Sequence, residues 1–265
     1  MASNEPQLAT AVAPQEARPP RHRRSFLWEA LENVLRRMLD RYNRAVACRS
    51  VHGDRTFFDP AQFPWIREVE AGWREVRREL DDVLARETIP QFKDISPDQS
   101  HLTADGKWKT FFFCAYGVRV EENSRRCPGT ARILKKIPGL QTAFFSILEP
   151  DMHIHPHRGP YGGVLRLHLA LMVPEPRAAC RIRVDREFAT WEEGKCLVFD
   201  DTYEHEVWND TAGERVILFV DFERPLPRHL RAVNRLFIRL IALSPLVQDG
   251  IKRYEEWTRQ HPLPS

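Results

Sequence analysis

The chain has 265 residues, 42% of them hydrophobic and 29% charged. That is enough to bury a sizeable core, and the balance is that of a globular protein, not of a disordered or membrane-spanning one. The formal charge of +3 is small but uneven, with Arg18, Arg21, Arg23, Arg24, Arg36, Arg37, Arg41 and Arg44 crowded at the N-terminus. Five cysteines, odd in number and without a CxxC pair, read as reduced thiols of a cytosolic protein.

Residues 1–24 are polar and Pro-rich and lack the apolar stretch of a secretory signal, so a disordered basic tail is expected there. From Phe26, Leu27, Leu31, Val34, Leu35, Met38 and Tyr42 share one face of a basic amphipathic helix. A second helical stretch carries Ile66, Val69, Trp73, Val76, Leu80 and Leu84, completing a helical region over 25–100. Trp108 to Val118 reads as strand, and a short helix near Thr130 to Lys136 leads into the centre of the chain. From Phe145 to Pro225, short β-branched and aromatic runs alternate with Gly, Pro and Asp turns, giving about eight strands. After Pro227, apolar residues from Leu230 to Leu243 recur with helical spacing beside Arg231, Arg235 and Arg239. No stretch approaches the roughly twenty apolar residues of a transmembrane helix. The expected fold is mainly β: a double-stranded β-helix of jelly-roll or cupin-like kind over 101–227, with flanking α-helices at both ends, those of 228–265 amphipathic.

Such a fold brings distant strands face to face, so His157 and His205 can meet. Strict alternation would put His153, His155 and His157 on one strand face, unless Pro156 disturbs the pleat. Neutral imidazole is a common ligand of Fe(II), Zn and Ni. The plainer reading is a surface histidine cluster that binds nothing. Arg215 interrupts the start of an apolar strand, where a buried guanidinium needs an anion. That anion is either a bound carboxylate held bidentately or a salt-bridge partner among Asp200, Asp201 and Asp221.

The segments FSILEPDMHIHPHRGPYGGVLRLHLALMVP, TWEEGKCLVFDDTYEHEVWND and ERVILFVDFERP resemble the aspartyl/asparaginyl β-hydroxylase family of Fe(II)/2-oxoglutarate dioxygenases, over roughly Trp108 to Pro225. The resemblance implies Fe(II), 2-oxoglutarate and O2 as cofactors, with His157 and His205 ligating iron. It further implies that Arg215 holds the distal carboxylate of 2-oxoglutarate, with Trp108, Ser146 and His168 completing that pocket and Arg166 contacting substrate or cosubstrate. The usual carboxylate ligand two residues after the first histidine is here Gly159, so the resemblance implies iron held by two histidines with water in the gap; Asp200 or Asp201 as a replacement ligand is the alternative to their reading as turn residues.

Family members act on Asp or Asn side chains, on free amino acids and on acyl chains of bacterial membrane lipids. The basic amphipathic ends favour a lipid, hydroxylated by an enzyme resting on the inner face of an anionic membrane. A peptide or amino-acid hydroxylase, or a non-catalytic cupin-like metal-binding protein, are the alternatives. No nucleic-acid motif accompanies the basic N-terminus.

Overall fold

The computed structural model describes residues 26–86, 88–97, 102 and 106–261. The tail expected over 1–24 lies outside them. Contacts divide the chain after Met38, and the unit from Leu39 onward holds everything described below except the first half of helix α1 (Phe26–Cys48).

The expected second helix is two, α2 (Ile66–Ala71) and α3 (Trp73–Arg86), broken at Gly72. A side chain at 72 would collide with Ile133 of α6 (Pro128–Leu134), so the break lets these helices approach closely. Ile66, Val69, Val76, Leu80 and Val83 are buried, whereas Trp73 and Leu84 are only partly so. Two further short helices are α4 (Phe92–Ile95) and α5 (Glu121–Arg126).

Eleven strands form two antiparallel sheets among the described residues. In chain order they are β1 (Phe57–Phe58), β2 (Trp108–Ala115), β3 (Val118–Arg119), β4 (Leu140–Leu148), β5 (Met152–His157) and β6 (Val164–Met172), then β7 (Cys180–Val184), β8 (Glu187–Thr190), β9 (Cys196–Phe199), β10 (His205–Asn209) and β11 (Arg215–Glu223). The larger sheet runs β1-β9-β6-β11-β4-β2-β3 and the smaller β5-β10-β7-β8. Tyr116 and Gly117, both at positive φ, form the tight turn between β2 and β3, as two-residue hairpins require.

Because side chains alternate across a strand, the larger sheet serves two cores. On one face Phe145, Ile147, Leu167, Leu169, Val216 and Leu218 pack with α2, α3 and α6. On the other, Phe144, Ala170, Ile217 and Phe219 meet Met152, Ile154, Ile182 and Val207 of the smaller sheet. This is the double-stranded β-helix anticipated from the sequence. The C-terminal helices are α7 (Arg228–Ala242) and α8 (Pro245–Gln260), and no described helix is long and apolar enough to cross a membrane.

Candidate active site

His157 ends β5 and His205 begins β10, and the two are direct cross-strand partners with ring centroids 4.1 Å apart. The register slips between this pair and the next, Val207 with Ile154, so β5 carries one extra residue at His155–Pro156. The bulge turns His157 to the inner face. His153 and His155 stay on the outer face, where His153 stacks on Trp208 at 5.1 Å and meets Glu206 at 3.1 Å. The three histidines therefore do not share a face: proline at 156 disturbs the pleat.

Each inner imidazole has its Nδ1 tied to the carbonyl oxygen two residues before it, His157 at 2.7 Å and His205 at 3.0 Å. With Nδ1–H donating there, Nε2 is the lone-pair nitrogen. Burial, then the neighbouring His157 and Arg166, hold His205 well below the usual imidazole range, so it is neutral, as a metal ligand must be. Among the described residues no third His, Cys, Asp or Glu joins them at metal-binding distance.

At Gly159 a side chain would run into the carboxylate of Asp201, which stands in that space, and the Gly159 amide donates to the Asp201 carbonyl at 2.7 Å. Asp201 Oδ2 pairs with Arg166 at 2.8 Å, while Oδ1 is buried with no partner. Arg166 also grips Asp221 at 2.9 Å and lies 4.3 Å above the Phe219 ring. Burial opposes the charge on Arg166, but Asp201 and Asp221 outweigh it and keep the guanidinium protonated.

Arg215 opens β11 and is 1% exposed, with Nε and Nη1 lacking any partner. None of its suggested salt-bridge partners is available, since Asp200 pairs with the buried Arg224 and the other two carboxylates are held by Arg166. Its neighbour is the face of Trp191, 4.7 Å from the guanidinium. Both ring nitrogens of His168 are buried and unbonded, as is Trp191 Nε1. Burial, then Arg215, Arg166 and His205, hold His168 well below the usual range and keep it neutral. Trp108 Nε1 donates to Ser146 Oγ at 2.9 Å.

Arg215, His168, Trp191, Trp108 and Ser146 thus face the same interior as the histidine pair. So many buried polar atoms without partners on one interior face are out of keeping with a finished core, and they suit an anionic ligand. Trp191 was not anticipated, because the run TWEEGK reads as a plain turn between strands.

The family model for aspartyl/asparaginyl β-hydroxylase matches residues 70–225, well over half the chain. The chain belongs to the aspartyl/asparaginyl β-hydroxylase family. It is 47% identical over 209 residues to the ornithine lipid ester-linked acyl 2-hydroxylase of Rhizobium tropici, covering 78% of this chain and 74% of that one. To the human aspartyl/asparaginyl β-hydroxylase it is 36% identical over 166 residues, 60% of this chain but only 21% of that protein. A Pseudomonas putida prolyl-4-hydroxylase aligns over 58% of this chain and 87% of that one, at a TM-score of 0.38 and 17% identity. The match begins at residue 70, so α3 and α6 are part of the aspartyl/asparaginyl β-hydroxylase unit and not an appendage to it. As a member of that family the protein is a hydroxylase.

Proposed function

We propose that this hydroxylase is an Fe(II)- and 2-oxoglutarate-dependent dioxygenase acting at the 2-position of an ester-linked acyl chain of an ornithine lipid. The observation that carries the substrate is the 47% identity, over most of both chains, to an enzyme of that activity. The cofactors are supported by the paired imidazoles and by a buried guanidinium with no protein anion.

His157 and His205 would hold the iron through Nε2. Bound there with 2-oxoglutarate and O2, it would supply the oxidising power that inserts one oxygen atom into a C–H bond, while 2-oxoglutarate leaves as succinate and CO2. The chain's own residues bind and orient. Arg215 offers Nε and Nη1 to the distal carboxylate, and the dianion relieves its buried charge. Ser146 accepts from Trp108, which leaves its own hydroxyl proton to donate to that carboxylate. His168, neutral between Arg215 and His205, adds a donor without adding charge. Asp201, in the space a side chain at 159 would take, offers Oδ1 to water where a carboxylate ligand is missing. Arg166, fixed by two carboxylates, presents a rigid cation towards the substrate. Such a substrate lies in a membrane, so the reading includes peripheral contact with an anionic membrane surface.

The test is mass spectrometry of total lipids from bacterial cells that make an ornithine lipid, with and without this protein and with His157→Ala. One added oxygen on an acyl chain, absent in the variant, is the expected result. Unchanged lipids, with purified protein forming succinate from 2-oxoglutarate only beside Asp-containing peptides or free amino acids, would reassign the substrate. No succinate under any condition would leave a non-catalytic metal-binding protein.

A further inference from the structure

Helix α7 buries one face and leaves an apolar one exposed. Asn234 and Ile238, four residues apart, are buried against the barrel. Val233, Leu236, Phe237, Leu240 and Leu243 recur at intervals of three and four on another side. They stay in water, Leu236 and Leu240 each 56% exposed and Leu243 73%. Tyr42 partly covers Phe237, at 4.8 Å between rings. Arg228, Arg231, Arg235 and Arg239 take the remaining side, and the helix contains no acidic residue. Arg235 is paired with Glu223, but Arg228 and Arg239 make no ion pair among the described residues.

A contiguous aliphatic stripe left in water marks a docking surface. A helix with aliphatic side chains on one exposed side, arginines beside them and no acid has the complementarity of an anionic lipid interface, where the stripe enters the acyl boundary and the guanidinium groups meet phosphates. The same helix reaches the candidate site. Asn234 Nδ2 donates to the Gly163 carbonyl at 2.9 Å, and Asn234 Oδ1 accepts from the Tyr161 hydroxyl at 2.6 Å, clamping the loop that leaves His157. Beside the arginines a cleft of about 320 Å³ runs to Tyr116, which packs with Ile238.

We propose that the exposed stripe of α7 docks the protein on an anionic bilayer, with the cleft beside its arginines turned to the lipid. This deepens the lipid-hydroxylase reading by naming the surface, but its test needs no turnover. The full chain is sedimented with vesicles of phosphatidylglycerol and phosphatidylcholine, and with phosphatidylcholine alone. Wild type should bind the anionic vesicles, and Leu236→Glu/Leu240→Glu should weaken binding at least about tenfold with the melting temperature unchanged. Leu243→Glu, at the most exposed position, serves as a second variant should the double variant melt early. Failure of wild type to bind, or equal binding by a folded variant, overturns the proposal. So does a wild-type dimer, seen by light scattering, that these substitutions dissociate, because the stripe is then the seat of a second copy. Vesicle binding without any lipid hydroxylation would uphold the surface while the substrate reading fails.

Discussion

Replacing Arg215 by methionine should stabilise the ligand-free protein and abolish its response to 2-oxoglutarate. The side chain is 1% exposed and two of its nitrogens bond to nothing. Burial lowers its pKa from the ordinary guanidinium range to about 10. At about 1.4 kcal/mol per unit, folding around this charge costs on the order of 3 kcal/mol. Stacking on Trp191 returns about 2 kcal/mol, which leaves a small net penalty that methionine would not carry. For a base with a depressed folded pKa the penalty is full below about pH 10 and is relieved only as pH climbs from there towards the ordinary guanidinium range. It is therefore constant across neutral buffers. Urea unfolding should show the ligand-free variant more stable by about 1–3 kcal/mol with an unchanged m-value. Wild type given 2-oxoglutarate and a divalent metal, at about a hundredfold over Kd, should gain about 2.7 kcal/mol, and the variant nothing. A ligand-free variant weaker than wild type, or one that 2-oxoglutarate stabilises equally, would refute the reasoning.

Gly159→Asp should lower stability instead of restoring a carboxylate ligand, since Asp201 already fills the space, and adding Asp201→Gly should recover the melting temperature. Thermal melts of the single and double variants check this, and a double variant no better than the single one counts against it. Arg224→Met should cost about 3–5 kcal/mol by leaving Asp200 charged and buried, read from urea midpoints. Alkylation at pH 8, followed by mass spectrometry, should label exposed Cys48 long before Cys114 or Cys196, whose thiols burial pushes up, Cys114 to about 11.

The strands and the flanking helices were legible because each is local, alternation or helical spacing, and Arg215 stood out as an arginine where no arginine belongs; Trp108, Ser146, Arg166 and His168 were singled out through the family resemblance. Trp191 was not, because its loop has no periodicity and its importance comes only from the guanidinium beneath it. The fit of Gly159 to Asp201 joins the loop after β5 to the loop after β9 and shows in neither segment alone. The division of the second helix needed Ile133 to be seen, and α5 (EENSRR) offers no apolar stripe to betray it. The fate of the three histidines turned on one proline, whose effect on register could be anticipated but not its direction.

The two-faced sheet keeps the helix-covered core apart from the face that carries the candidate site. Along β6, Leu165, Leu167, Leu169 and Leu171 belong to the helix-covered core, while Arg166, His168 and Ala170 look into the cavity. A library that recodes only the cavity-facing positions of β4, β6 and β11 would therefore sample new substrates while leaving the helix-covered layer untouched. Recoding their neighbours would spend every variant on mending the scaffold.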